Sequence, residues 1–231
     1  EVILSSKQLL MKLNSGQAIN LAQHLNIIAD EKLDVISRAT AIQLLSYTTS
    51  SLDAAALVPY LSHKEPLFRL SASSVANLLS PSQKVSYVAP LLNDKYKAIR
   101  VSAARSLLNA DISQSNKALF DKAFSDLITA NNISSWRGEG GVNNGLLALD
   151  LDNVTEAEQS FNKAIKIDPY FEAAYINLAE VYRSQQKPFL VNSVLAKGIK
   201  NNPNAASLHY SYGLYFVRQK KMNKAISLFN K

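Results

Sequence analysis

The feature that most constrains this chain is a spacing of 34 residues that recurs without a gap from Gly138 to Lys231. Small residues stand at Gly145, Ala179 and Gly213, and small or β-branched ones at Ala157, Val191 and Ala225. Large apolar residues follow at Phe161, Leu195 and Phe229, and Pro169 and Pro203 close the first two periods. One fixed period at several independent positions signals a repeat architecture. Each repeat is then a small supersecondary unit that buries its apolar face only by stacking on its neighbours.

A different period governs the start of the chain. Arg38, Arg69 and Arg100 are 31 residues apart, with Ala41, Ala72 and Ala103 three residues after each. The strings SRATAIQLLS, FRLSASSVANLLS and IRVSAARSLLN read as amphipathic helices in which alanine permits close packing. Shorter helices are expected before two of them, at LVPYLSH and YVAPLLND. A short helix, a polar turn and a longer helix form an α-solenoid unit. Asp34 and Glu65 stand four residues before Arg38 and Arg69, a spacing that predicts ion pairs along one helix face. The arginines themselves are expected to satisfy polar groups at turns between units, not to bind a ligand. The residues before this, from Leu4 to Leu25, predict two helices, with Gly16 ending the first.

Between the two periods, Asn116 to Ala130 reads as one helix, stopped at Asn131-Asn132, with Ser134 or Ser135 capping the next. Trp136, the only tryptophan, is expected to be a packing anchor because an aromatic ring buries so much area. The junction is short and apolar, so the two halves are expected to run on as one superhelix.

These patterns resemble known families. The 31-residue units, over roughly Ile19 to Ala110, are similar to short HEAT-like repeats. The 34-residue units resemble the tetratricopeptide repeat. Its signature positions are Tyr175, Leu178-Ala179, Tyr182, Val191, Leu195, Gly198 and Pro203 in the middle repeat. The first repeat has Gly141, Asn144-Gly145, Ala148, Ala157, Phe161, Ala164 and Pro169; the last has His209, Tyr212-Gly213, Phe216, Ala225 and Phe229. Gly141 and Asn144 depart from the usual aromatic and leucine, which predicts a weak opening helix. The expected fold is an all-α, two-part α-solenoid with a right-handed superhelix. HEAT-like repeats would span 1–110, a connecting helix 111–137, and repeats 138–171, 172–205 and an incomplete 206–231 follow.

The second resemblance implies a protein-interaction scaffold that holds a peptide or protein segment in a concave groove lined by the first helix of each repeat. One subset of that family clamps a carboxyl terminus with Lys and Asn. Here those positions hold Val142 and Leu146 in the first unit, Ile176, Asn177 and Glu180 in the middle one, with Arg183 a turn later, and Tyr210, Leu214 and Arg218 in the last, so that clamp is missing. Asn143, Asn177, Arg183, Tyr210 and Arg218 are the residues expected to line the groove. The order of the parts, with NLAEVYRSQ and LHYSYGLYFVRQ, also resembles the C-terminal region of exported bacterial multihaem c-type cytochromes. That resemblance implies an accessory repeat region, with haem-binding motifs upstream and an exported location.

Charge and composition bound the alternatives. The net charge is +7, unevenly placed: Asp111 to Val181 is acidic, whereas Tyr182 to Lys231 carries nine Lys/Arg and no acid. A basic, aromatic-bearing end is compatible with a polyanion, but most of its aromatics fall on core positions of the repeat, so nucleic acid is disfavoured. With no cysteine, thiolate chemistry and cysteine-held metals are excluded from this sequence. His24, His63 and His209 are isolated from one another, and no nucleophile or phosphate-loop motif occurs, so no enzymatic activity, metal or other cofactor is expected. No apolar run is long enough to span a bilayer. The sequence reads as a segment of a longer chain, and the incomplete last repeat is an expected place for self-association.

Overall fold

A computed structural model describes residues 4–48 and 54–231 of the 231. Among the described residues there are fourteen α-helices, short 3-10 segments and no strand. They form two compact units, Glu1–Leu127 and Ile128–Lys231. No helix among the described residues is long and apolar enough to cross a membrane.

The first unit contains α1 (Ser6–Asn14), α2 (Leu21–Ala29), α3 (Val35–Gln43), α4 (Ala54–Leu61), α5 (Pro66–Ser74), α6 (Pro81–Val88) and α7 (Lys97–Ser106). Most of α8 (Gln114–Ile133) also belongs to it. Helix starts are written locally. Ser5, Asn20 and Ser80 each form a reciprocal capping box with a glutamine three residues on, satisfying amides the helix leaves free. Gly16 ends α1 in the left-handed region at φ 75°, where Gln17 N–H reaches back to Lys12 O.

The three long strings of the 31-residue period become α3, α5 and α7, which pack successively, α3 on α5 and α5 on α7. Ala41, Ala72 and Ala103 are fully buried at these contacts. A polar seam joins α5 to α7: Ser73 Oγ lies 2.7 Å from Ser102 Oγ, and Ser106 Oγ donates to Ser73 O at 2.6 Å. All three hydroxyls are hydrogen-bonded within the protein, so they are not stranded by the helix approach.

The arginine ladder is structural. Arg69 Nη1 donates to the carbonyls of His63 and Lys64, and Arg100 Nη1 to those of Asp94 and Lys95, the same turn one period later. Arg38 instead gives Nε to Ile28 O and lies over the Phe68 ring. The expected ion pairs with Asp34 and Glu65 do not form. Both acids are helix N-caps, accepting from Ser37 N–H and Leu67 N–H, because that position aims a carboxylate at its own helix's free amides. Arg69 finds its acid in the next repeat, Asp94, at 2.7 Å. Burial pushes the Asp94 carboxyl up, but hydrogen bonds from Arg69 and the Tyr96 amide outweigh it and hold the group below its ordinary value.

Three local expectations at the junction fail. α8 continues through Asn131-Asn132 to Ile133, since each residue there can still bond back along the helix. The N-cap of the next helix is Arg137, without a side-chain cap, while Ser134 Oγ bonds Asn131 O. Trp136 is 69% exposed, with the Arg137 guanidinium 4.7 Å from its ring, so it anchors no core. A cation over its face replaces burial.

The second unit is three helical hairpins: α9 (Gly138–Asp150) with α10 (Val154–Ile167), α11 (Glu172–Ser184) with α12 (Pro188–Asn201), and α13 (Ala206–Arg218) with α14 (Met222–Phe229). The hairpin turn is identical in all three. Asp152, Gln186 and Lys220, each 34 residues apart, are left-handed at φ 57°, 57° and 58°. The amide after each bonds five residues back: Asn153 to Ala148 O, Lys187 to Tyr182 O and Lys221 to Phe216 O, at 2.8–2.9 Å. That is the Schellman closure, built here without glycine. Helix α9 forms over its full length despite its glycines. They allow contact instead: a Cβ on Gly141 would stand 2.9 Å from that of Ala164, and one on Gly140 would collide with the Ser134 carbonyl.

Candidate functional site

The first helices of successive hairpins lie side by side, α9 on α11 and α11 on α13. An aromatic ring with a polar tip fixes the junctions between repeats. Tyr175 is fully buried and donates to Pro169 O at 2.9 Å, while Asn201 Nδ2 donates to the same hydroxyl at 2.6 Å. Burial pushes the Tyr175 phenol up, so it stays a protonated donor. One period later His209 Nε2 lies 2.7 Å from Pro203 O, which makes that nitrogen the protonated one. The Ser207 hydroxyl also bonds Glu172, tying the first turn of α13 to that of α11.

The five expected groove residues lie on these first helices but do not form one cluster. Asn143 and Asn177 occupy the same repeat position, half-buried, on α9 and α11. Asn177 Nδ2 donates to Ala173 O of its own helix at 2.8 Å. Arg183 is exposed at the end of α11 and gives Nε to Glu180 at 2.5 Å. Arg218 is exposed at the end of α13. Arg183 and Arg218 come together around one cleft. Tyr210 is exposed too, but eight residues from Arg218 it sits about 12 Å away along α13. There its ring centroid lies 5.7 Å from that of Phe229.

The cleft has a volume of about 170 Å³ and lies between the turn ends of the middle and last repeats. Buried Val191, half-buried Tyr215 and exposed Pro188 supply apolar lining, and Arg183, Lys187 and Arg218 supply three cations. Lys187 was not foreseen among the site residues. Its signal is in the sequence, four residues after Arg183, where an exposed helix end and the following turn bring side chains together. At the junction of the first and middle repeats the residues equivalent to Arg183, Lys187 and Arg218 are Leu149, Asn153 and Ser184, none of them charged. Among the described residues, no group of three or more His, Asp or Glu is placed to hold a metal.

Comparisons with known proteins agree with this geometry. The tetratricopeptide repeat family matches residues 143–171, which run from α9 through α10 to the turn before α11. A human protein named Protein O-mannosyl-transferase TMTC3 is 27% identical over 81 residues, 35% of this chain and 9% of that protein. The chain thus spans less than a tenth of the length of this relative. The family match over residues 143–171, the 34-residue period and three hairpins closed by the same left-handed turn together support tetratricopeptide repeats in the second unit.

Proposed function

We propose that the second unit is a non-catalytic scaffold that binds a peptide or protein segment along the face formed by α9, α11 and α13. Asn143, Asn177, Arg183, Tyr210 and Arg218 would line it. The observation that carries this reading is the row of neighbouring first helices bearing exposed Arg183, Tyr210 and Arg218 beside half-buried asparagines. Such a row offers aromatic and guanidinium anchors of the kind that dominate interface energies. Tetratricopeptide repeats suggest protein partners. The relative's name as a transferase describes that protein, and the 9% of it matched here is too little to carry an activity across.

Selection of the 231-residue chain against a displayed random-peptide library, followed by anisotropy titration of the selected peptides, tests this. Arg183→Glu and Tyr210→Ala should each weaken binding. If the selected peptides bind both variants like the parent chain, the groove assignment is wrong. Nucleic acid is the lesser reading, because Tyr182 and Phe216 are buried in the repeat core and Tyr212 and Tyr215 are half-buried, which leaves Phe189, Tyr210 and Phe229 as the exposed rings of the basic end.

A further inference from the structure

The cleft between the middle and last repeats differs from the rest of the binding face in size and charge, and both point to one kind of guest. At about 170 Å³ it is smaller than the roughly 300–1,000 Å³ of an ordinary small-molecule site. It has room for a single side chain. Its apolar lining of Val191, Pro188 and Tyr215 suits the methylenes of that side chain, and its charged rim suits an anionic tip.

The rim cations are short of counter-charge. Arg183 is held by Glu180, but Lys187 and Arg218 have no ion-pair partner among the described residues. From Tyr182 onward the sequence offers none, with nine Lys/Arg and no acid. The equivalent position at the preceding junction is Leu149 where this one has Arg183. The positive rim therefore belongs to this junction and not to the fold. A glutamate has the required shape: two methylenes for the lining and a carboxylate that a guanidinium binds through paired N–H groups.

We infer that this cleft is the specificity pocket for an acidic peptide segment, seating one glutamate side chain between Arg218, Lys187 and Arg183. The inference rests on the peptide-scaffold reading above and names the chemistry of the partner. Neighbouring acidic residues of the peptide would meet the same cationic edge, which also extends to Lys220 and Lys221 in the next turn. Binding should weaken as salt rises, because the rim is exposed and screened.

The test uses the full chain and a labelled short peptide of glutamate and glycine, titrated by anisotropy at low and moderate salt. A glutamine-for-glutamate peptide and a single-stranded oligothymidine are run beside it. The glutamate peptide should bind and the glutamine peptide should not. Arg218→Glu and Lys187→Glu should each lower affinity about tenfold or more, with circular dichroism unchanged, while the charge reversal Lys7→Glu, on exposed surface of α1 in the first unit, should have little effect. No binding of the glutamate peptide, or equal binding by the charge-reversed Arg218 and Lys187 variants, overturns the inference. So does an oligothymidine that binds as tightly and depends on the same cations, since the site would then read charge alone. Library peptides that need Tyr210 but ignore Arg218 and Lys187 would leave the scaffold reading standing and remove this one.

Discussion

The ring of Phe161 fills the space that a side chain on Gly145 would need: a Cβ there would stand 2.4 Å from Cε1 of the ring. The pair is sixteen residues apart and recurs in each repeat, as Ala179 with Leu195 and as Gly213 with Phe229. Where the partner is leucine the small residue keeps its methyl; where it is phenylalanine the methyl is gone. Phe161 is fully buried and cannot retreat, whereas Phe229 is 43% exposed and can. Gly145→Ala should therefore destabilise the second unit by about 1–2 kcal/mol, overpacking outweighing the helix propensity gained. Gly213→Ala should cost less, and Phe161→Leu added to Gly145→Ala should restore part of the loss. Urea unfolding followed by circular dichroism measures all three.

Asp94 and Arg69 make a cross-repeat pair that is almost out of solvent, with side chains 7% and 13% exposed. Asp94→Ala should cost about 2–3 kcal/mol, below the full penalty of a stranded buried charge because Arg69 keeps the carbonyls of His63 and Lys64. The pair also links stability to acid. The Asp94 carboxyl is held below its ordinary 3.8, so its contribution is complete above that value and is lost as pH falls through the lower folded value. The variant's unfolding free energy should fall less steeply than the parent's below pH 3.8.

The two periods, the helix-hairpin units and the buried alanines were legible because one chain repeats each of them, so every position is observed several times. Pairings between helices were not. Gly141 looks like a defect until Ala164 is seen against it; in the next repeat the same two positions are Tyr175 and Gly198, where a Cβ on the glycine would lie 3.0 Å from the tyrosine ring. A single sequence shows both substitutions but not that they face each other. Asp34 and Glu65 illustrate another limit, since a spacing of four residues before an arginine serves an N-cap and an ion pair equally well. Trp136 was misjudged from a residue-type tendency that local backbone geometry overrides. In the candidate site, Arg183 and Arg218 could be named from helix position alone. Their sharing of one cleft, and the membership of Lys187, depend on how the left-handed turn folds back.

That turn makes its own prediction. Gln186 and Lys220 are left-handed without the short side chain that makes Asp152 tolerable there. Gln186→Gly and Lys220→Gly should each stabilise the second unit by about 0.5–1 kcal/mol, the relief of backbone strain exceeding the extra freedom glycine gives the unfolded chain. Asp152→Gly should gain less. Thermal melts of the three variants should rank in that order.

His24 should make the first unit acid-sensitive at a higher pH than its carboxylates do. The ring is fully buried, with Nε2 2.7 Å from Ala41 O and Nδ1 2.5 Å from Thr48 Oγ1. The carbonyl can only accept, so Nε2 carries the proton and Nδ1 accepts from the threonine hydroxyl. Burial pushes the imidazole below its ordinary 6.5, against a smaller opposing pull from the Ala41 carbonyl. The unfolded chain then binds a proton before the folded one does. Stability from this site is whole above 6.5 and declines as pH falls beneath it, until the lower folded value is reached. His24→Leu removes the titration and leaves the Ala41 carbonyl without its donor, so it should cost about 1–3 kcal/mol at neutral pH. As pH falls below 6.5 the gap between parent and variant should narrow. A gap that stays constant over that range in urea titrations would show that the buried ring does not control this response.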